Sequence, residues 1–266
     1  MGGPHPRERG LSAELLALAE HLAREAGAQL RDAAAGGGLR THAKSSPTDL
    51  VSEADVAAER LIRERRLAAR PDDGMLGEEG SDSPGTSGLR WIVDPLDGTT
   101  NFLFGLPQWG VSIAVEDGDG MLAGVVYDPS RDECWAGVRG EQATLEGEAL
   151  VRPDPPESLA TALVCTGFGY DADVRAAQAA TVARLLPQVR DIRRLGSCAL
   201  DLAWTAAGRY DAYFERGVKL WDVAAGGLIC ECMGLDVRRL EPAPPADAGI
   251  FAAPPALADA LAALVD

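Results

Sequence analysis

No apolar run in the 266-residue sequence approaches the ~20 residues a bilayer-spanning helix needs, because charge or glycine interrupts each candidate early. Met1 to Gly10 is polar and has no hydrophobic leader core, so a cytoplasmic protein without a membrane partner is expected. Histidine is scarce: His5 falls in a tail, His21 in a helical stretch, and His42 is the third. Any metal should therefore be a hard ion held by oxygen, such as Mg²⁺ or Mn²⁺. The five cysteines, Cys134, Cys165, Cys198, Cys230 and Cys232, are odd in number and lack C-x-x-C spacing. That speaks against structural zinc and for free thiols in a reducing compartment, with Cys230 and Cys232 read as small buried hydrophobes. Basic residues are outnumbered, 25 Lys and Arg against 41 Asp and Glu, for a formal net charge of −16. Nucleic-acid-binding faces concentrate positive charge, so nucleic acid is not an expected partner. A chain this acidic that handled an anion would need bound divalent cations to do so.

What is present is enough for a sizeable core: 46% of residues are hydrophobic, arranged as one large domain or two packed subdomains. Residues 11 to 35 carry Ala, Leu and Glu at helical spacing and stop at Gly36, Gly37 and Gly38, which no Gly-Lys-Ser/Thr follows, so this is no phosphate loop. A second helix is predicted from Ser46-Pro47-Thr48-Asp49 to just before Pro71. On it Val51, Asp55, Ala58 and Ile62 share one side, so Asp55 interrupts an apolar stripe. Such a carboxylate either reaches water at the stripe's edge or is hydrogen-bonded, salt-bridged or beside a metal.

Trp91-Ile92-Val93 reads as a buried strand, and Val111 to Ala136 as an antiparallel meander broken at Asp117-Gly118-Asp119-Gly120 and Asp128-Pro129. Leu145 to Ser158 looks like a connector. Beyond it a strand is predicted over Leu159 to Cys165, helices over Val174 to Leu186 and Ala199 to Ala207, and a strand over Tyr210 to Phe214. Trp221-Asp222 should open a further helix with Asp222 as N-cap, and the chain should close with a strand near Ile250-Phe251 and a helix from Ala256. The element order is mixed α/β.

The strand at 91–93 delivers Asp94-Pro95-Leu96-Asp97-Gly98-Thr99-Thr100-Asn101. Two carboxylates on one tight turn, with the Leu96 carbonyl able to point the same way, form a cluster of hard oxygen ligands. The Gly98-Thr99-Thr100 amides, at the start of a helix, suit a phosphate oxygen. Taken alone, the Asp94 to Gly98 segment reads more readily as an ordinary Asx-capped turn.

The longer string changes this reading. Trp91 to Phe102 resembles the first signature of the inositol monophosphatase family of lithium-sensitive, Mg²⁺-dependent phosphatases, and Trp221-Asp222-Val223-Ala224-Ala225-Gly226 resembles its second. Gly77-Glu78-Glu79 is similar to the family's acidic metal-binding motif, and Lys44 to Asp55 to its N-terminal segment. These pieces stand in the family's order, and the resemblance runs from about Leu11 to the end. It implies a layered α-β-α-β-α sandwich, with an N-terminal α+β half (1–148) carrying most metal ligands and a C-terminal α/β half (149–266) carrying Asp222 and the substrate contacts.

The resemblance also implies two to three Mg²⁺ ions, with Mn²⁺ an alternative. Glu78, Asp94 and the Leu96 carbonyl would hold a first ion, Asp94, Asp97 and Asp222 a second, and a weaker third would sit near Glu78. Together they would activate a water and stabilise the leaving oxygen. Thr99, supported by Asp55, would position that water, with Glu78 part of the catalytic set; Asp97, Gly98, Thr99 and Asp222 would contact the phosphorylated end. Gly196, Ser197 and Glu215 would face the ring of a polyol, and Lys44 either adds charge at the rim or is a solvated lysine. Cys198, and Glu231 to Leu235 where relatives carry a glycine pair, depart from the family pattern.

The substrate implied is myo-inositol monophosphate and the assembly a homodimer. Fructose 1,6-bisphosphate, histidinol phosphate and 3′-phosphonucleotides are alternative esters. A regulatory protein-binding role is the alternative from outside the enzyme class. Five carboxylates converging on one point would be costly without cations, which favours catalysis.

Overall fold

The computed structural model describes residues 6–36, 41–43 and 50–265. The expectations for His5, for Gly37 and Gly38, for Lys44 and for residues 46–49 fall outside the described residues.

Helix α1 (Pro6–Gly36) covers the predicted residues 11 to 35 but begins already at Pro6, and it buries Leu15, Ala19, Leu22, Ala23, Ala26 and Leu30. Short strands β1 (Thr41–Ala43) and β2 (Leu50–Ser52) pair antiparallel and lead into α2 (Glu53–Ala69). This helix starts later than predicted. Ser52 is the N-cap, its hydroxyl accepting from the Ala54 and Asp55 amides, and the Asp55 carboxylate accepts in return from the Ser52 N–H, which completes a capping box.

Next come β3 (Gly74–Gly77), β4 (Asp82–Ser83), β5 (Arg90–Asp97), the short α3 (Thr99–Leu103), β6 (Gly110–Asp117), β7 (Gly120–Asp128), β8 (Glu133–Val138), β9 (Thr144–Leu145) and β10 (Glu148–Ala149). The predicted meander is β6-β7-β8. The expected connector is shorter than Leu145 to Ser158, because Glu146 and Gly147 turn a two-residue hairpin that adds β9 and β10 to the sheet. The eight strands lie in the order β10-β9-β8-β7-β6-β5-β3-β4, antiparallel except for β3 beside β5.

The remaining elements are β11 (Leu163–Thr166), α4 (Ala172–Leu185), β12 (Asp191–Arg193), α5 (Cys198–Ala206), β13 (Ala212–Arg216), α6 (Leu220–Cys232), β14 (Asp236–Leu240), β15 (Gly249–Ala253) and α7 (Pro255–Val265). Leu159–Thr161, read from sequence as the start of a strand, is a single 3₁₀ turn, and pairing begins at Leu163. The second sheet has the order β12-β11-β13-β15-β14, with β11 parallel to both neighbours.

The layers follow from which faces are apolar. Helices α1 and α2 cover one face of the large sheet around Trp91, Val93, Ile113 and Val125. Ile92, Ala114, Val126 and Trp135 point to its other face and meet α5 and α6, whose far sides meet Tyr213, Ile250 and Ala252 of the second sheet. Val164, Phe214 and Phe251 then pack under Leu185 and the α7 residues Leu257, Ala258 and Leu261. The result is the α-β-α-β-α sandwich expected. Burying each large aliphatic side chain in these seams stabilises the fold by roughly 1.5–3 kcal/mol. No helix among the described residues is long and apolar enough to cross a membrane.

Candidate active site

Strand β5 does not stop at Val93. It continues to Asp97, with its register against β6 shifting between Asp94 and Asp97. The carboxylates therefore project from an irregular strand end rather than from a loop after it, and are held more firmly than a loop would hold them. The Leu96 N–H donates to Asp94 Oδ1 (3.0 Å). Gly98 then turns the chain into α3 at φ 93°, and a Cβ there would lie 2.9 Å from the Gln108 carbonyl oxygen, so glycine is required on both counts.

A cavity of about 450 Å³ opens at this point. Its lining brings Glu78, Asp94, Leu96, Asp97, Gly98, Thr99 and, from α6, Asp222 together with Arg194, Gly196, Cys198 and Glu215, and Phe168 and Trp221 also line it. Asp94 is 1% exposed and its carboxyl is in hydrogen-bond contact with that of Glu78. Burial, then the charges of Glu78, Asp97 and Asp222, push Asp94 well above the usual carboxylate range. Asp97 is pushed up to about 6 by burial, against the pull of the Ser197 hydroxyl and the Ala199 amide (2.7 Å). Asp222 is likewise raised, by burial and by the charge of Asp97.

Asp55 is fully buried behind this wall. Its Oδ2 accepts from the Ser52 hydroxyl and N–H, and its Oδ1 lies 2.9 Å from the Thr99 hydroxyl, which is also 3.1 Å from the Leu96 carbonyl. The interrupted stripe is thereby explained: the carboxylate faces hydrogen-bond donors, not water. Burial raises its pKa and the Ser52 and Thr99 bonds oppose the rise.

Two expectations are corrected. Ser197 does not face the cavity: it is fully buried, caps α5 by accepting from the Leu200 N–H, and donates to Asp97 Oδ2. Asp222 is not an N-cap. It is the third residue of α6 and accepts from the Lys219 N–H (2.6 Å), which leaves the carboxylate on the cavity wall. Glu215, half-buried, stands at the end of β13, where burial pushes it up to about 7 against a hydrogen bond from the Tyr213 hydroxyl. The sequence reading missed Arg194, the cation on the lining whose charge acts on Glu215, and Tyr213 itself, although residues two apart on a strand share a face.

Whether the donors suit divalent metal can be judged from their chemistry. Hard carboxylate oxygens and a backbone carbonyl share one cavity, and the buried Asp94 carboxyl stands among the like charges of Glu78, Asp97 and Asp222, a crowding that a bound cation would relieve. The expected convergence of five carboxylates on one point is not found. Asp55 faces Ser52 and Thr99, and among the described residues no three His, Cys, Asp or Glu side chains are gathered as a finished cage. The donors are hard oxygens of the kind that suit a divalent cation, and Glu78, Asp94, Leu96, Asp97 and Asp222 are the residues that would hold one.

Comparison with known proteins bears on the family and the fold. The sequence model of the inositol monophosphatase family matches residues 11–266. The chain is 42% identical to inositol-1-monophosphatase SuhB of Mycobacterium tuberculosis, over 94% of this chain and 93% of that protein. It is also 42% identical to the Nus factor SuhB of Xylella fastidiosa, over 74% of each chain. The structure of extragenic suppressor protein suhB from Bartonella henselae superposes with a TM-score of 0.88 at 33% identity, covering 95% of this chain and 98% of that one.

Proposed function

The chain belongs to the inositol monophosphatase family, and from that premise we propose that it hydrolyses the phosphomonoester of a small polyol, myo-inositol monophosphate above all, with Mg²⁺ in the cavity. The observation that supports this reading is that one cavity is lined by Glu78, the buried Asp94, Asp97 and Asp222 together with the Leu96 segment, Thr99 and Glu215. Divalent cations held by Glu78, Asp94, Leu96, Asp97 and Asp222 would add positive charge for a phosphate dianion, acidify a water and neutralise the leaving oxygen. The chain's own residues do the rest.

Thr99 accepts a hydrogen bond from the attacking water while its own proton is held by Asp55, so the water's lone pair points at phosphorus. The amides of Gly98 and Thr99 take phosphate oxygens. The water oxygen forms the new P–O bond as the ester P–O bond breaks, and the alcohol leaves with a proton, giving inositol and inorganic phosphate. Glu215, oriented by Tyr213, accepts from two neighbouring ring hydroxyls. Mg²⁺ as the working ion with Mn²⁺ as the alternative, sensitivity to lithium and a homodimeric assembly are parts of the same proposal, and light scattering that reports a monomer at micromolar concentration overturns the last.

A panel of phosphate esters tests the substrate. The proposal expects myo-inositol 1-phosphate to give the highest kcat/KM; another ester better by about tenfold, a difference of about 1.4 kcal/mol, moves the substrate and keeps the reaction. A second reading, a regulatory protein that acts through protein contacts, has support in the relative named Nus factor SuhB. Cellular function that survives Asp94→Asn and Asp222→Asn would favour it.

A further inference from the structure

Asp55 is not the only buried carboxylate that α2 turns inward. Glu59 lies four residues on, one turn along the same face, and is 3% exposed. Its Oε2 accepts from the Glu79 N–H (2.7 Å) and its Oε1 from the Ser81 N–H (3.0 Å). Both amides belong to the turn that joins β3 to β4 and carries Glu78. The carboxylate also lies flat against Gly77, where a Cβ would collide with it, so the glycine ahead of Glu78-Glu79 leaves room for Glu59. The turn is fixed from its other sides by Gly77 N–H to the Ser81 carbonyl (2.8 Å) and Glu78 N–H to the Val93 carbonyl (3.1 Å). Val93 precedes Asp94, so the hydrogen-bonded frame runs from α2 through the turn to the two carboxyls that meet in the cavity.

We propose that Glu59 is a positioning residue for Glu78: by holding the Glu79 and Ser81 amides it sets where the Glu78 carboxylate stands, and so sets the affinity of the cavity for divalent cations. This rests on the metal-dependent reading above. The argument is one of acceptors. Both oxygens of Glu59 are used, and an amide offers only one acceptor, so Gln at this position turns an N–H donor toward another donor in a buried place. The turn must shift to relieve that, and Glu78 shifts with it. Partners that orient a metal's ligands typically change affinity 10- to 100-fold when removed.

The test is Mn²⁺ binding to purified protein, followed by the electron paramagnetic resonance signal of free Mn²⁺, for wild type, Asp94→Asn, Glu59→Gln, Glu59→Asp and Gly77→Ala. Asp73→Asn serves as a control, a buried carboxylate bonded to Trp91 (2.9 Å) and away from the cavity. Glu59→Gln should weaken Mn²⁺ binding about tenfold, Gly77→Ala comparably, and Glu59→Asp, which keeps two acceptors, less. The Mg²⁺ concentration for half-maximal activity should rise in parallel while kcat at saturating Mg²⁺ recovers. Asp73→Asn should lower thermal stability and leave Mn²⁺ affinity unchanged. If Glu59→Gln does not fold, Gly77→Ala carries the test. Wild-type binding that depends on Asp94, with affinity within twofold of wild type in the folded Glu59 or Gly77 variant, overturns this inference alone. Wild-type protein with no Asp94-dependent binding overturns the metal reading and this inference together.

Discussion

The two walls of the cavity are held in different ways. On the Asp94 side, Asp94 and Asp97 sit on a central strand of the large sheet, and two buried carboxylates of α2 fasten what stands beside them: Asp55 holds Thr99 and Glu59 holds the turn of Glu78. On the Glu215 side, the lining comes from the ends of β11, β13, α5 and α6 and their loops, with Glu215 half-buried and Arg194 exposed. Asn101 bridges the two, its amide donating to the carbonyls of Gln108 and Leu195 (2.7 Å each). Asp94, Asp97 and Thr99, assigned to the reaction, are set by the fold's interior, with Asp222 joining them from α6, whereas Glu215, assigned to the ring, is set at its edge. Substitutions on the first wall should strike turnover, and those on the second should strike recognition.

The largest effect should come from Asp94→Asn, which removes a carboxylate from the wall proposed to hold cations: Mg²⁺-dependent phosphate release should fall by about 10³-fold. Thr99→Val should lower kcat by about 10²-fold with KM little changed, measured on the same ester. On the opposite wall, Tyr213→Phe frees the Glu215 carboxylate and should raise KM for inositol 1-phosphate about tenfold, while hydrolysis of p-nitrophenyl phosphate, which has no ring hydroxyls, stays near wild type. Equal loss on both esters would erase the division between the walls. Ser52→Ala removes the cap of α2 and a donor to Asp55, at a cost of about 1 kcal/mol, read as a melting temperature lower by about 2 to 4 °C.

The smallest effect is on acid stability and lies away from both walls. Burial raises the Asp73 carboxyl, but hydrogen bonds from Arg70, Trp91 and Ser87 outweigh it and hold its pKa below the ordinary value. A group lowered on folding stabilises above its unfolded pKa, about 3.9, and that contribution is lost as pH falls through the folded value. The urea midpoints of wild type and Asp73→Asn should therefore differ at pH 6 and converge below about pH 4.

How much of this was legible in the sequence divides along physical lines. Long periodic segments, such as α1 and the β6-β7-β8 meander, were readable because their patterns are local. Asp55 announced itself as a charge in an apolar stripe, yet its partner Thr99 is 44 positions away and nothing local names it. Glu59 was passed over for the same reason: its partners are the amides of a turn 20 and 22 residues on. The start of α2 was misplaced because the residues at 46–49 have capping chemistry of their own, and only the bond returned from Asp55 selects Ser52. Ser197 was given to the substrate because its segment flanks the pocket, and one rotation about its backbone turns the hydroxyl to Asp97 instead. Very short strands such as β4, β9 and β10 carry too few residues for alternation to show.

The central claim is that Glu78, Asp94, Asp97 and Asp222 hold divalent cations for phosphoester hydrolysis. The most direct measurement is anomalous scattering from crystals grown with Mn²⁺. The account predicts Mn²⁺ peaks within coordination distance of the Asp94 carboxylate, with Glu78 on one side and Asp97 or Asp222 on the other, lost in Asp94→Asn. A cavity free of Mn²⁺ at millimolar metal, or peaks held only by surface carboxylates, would contradict it.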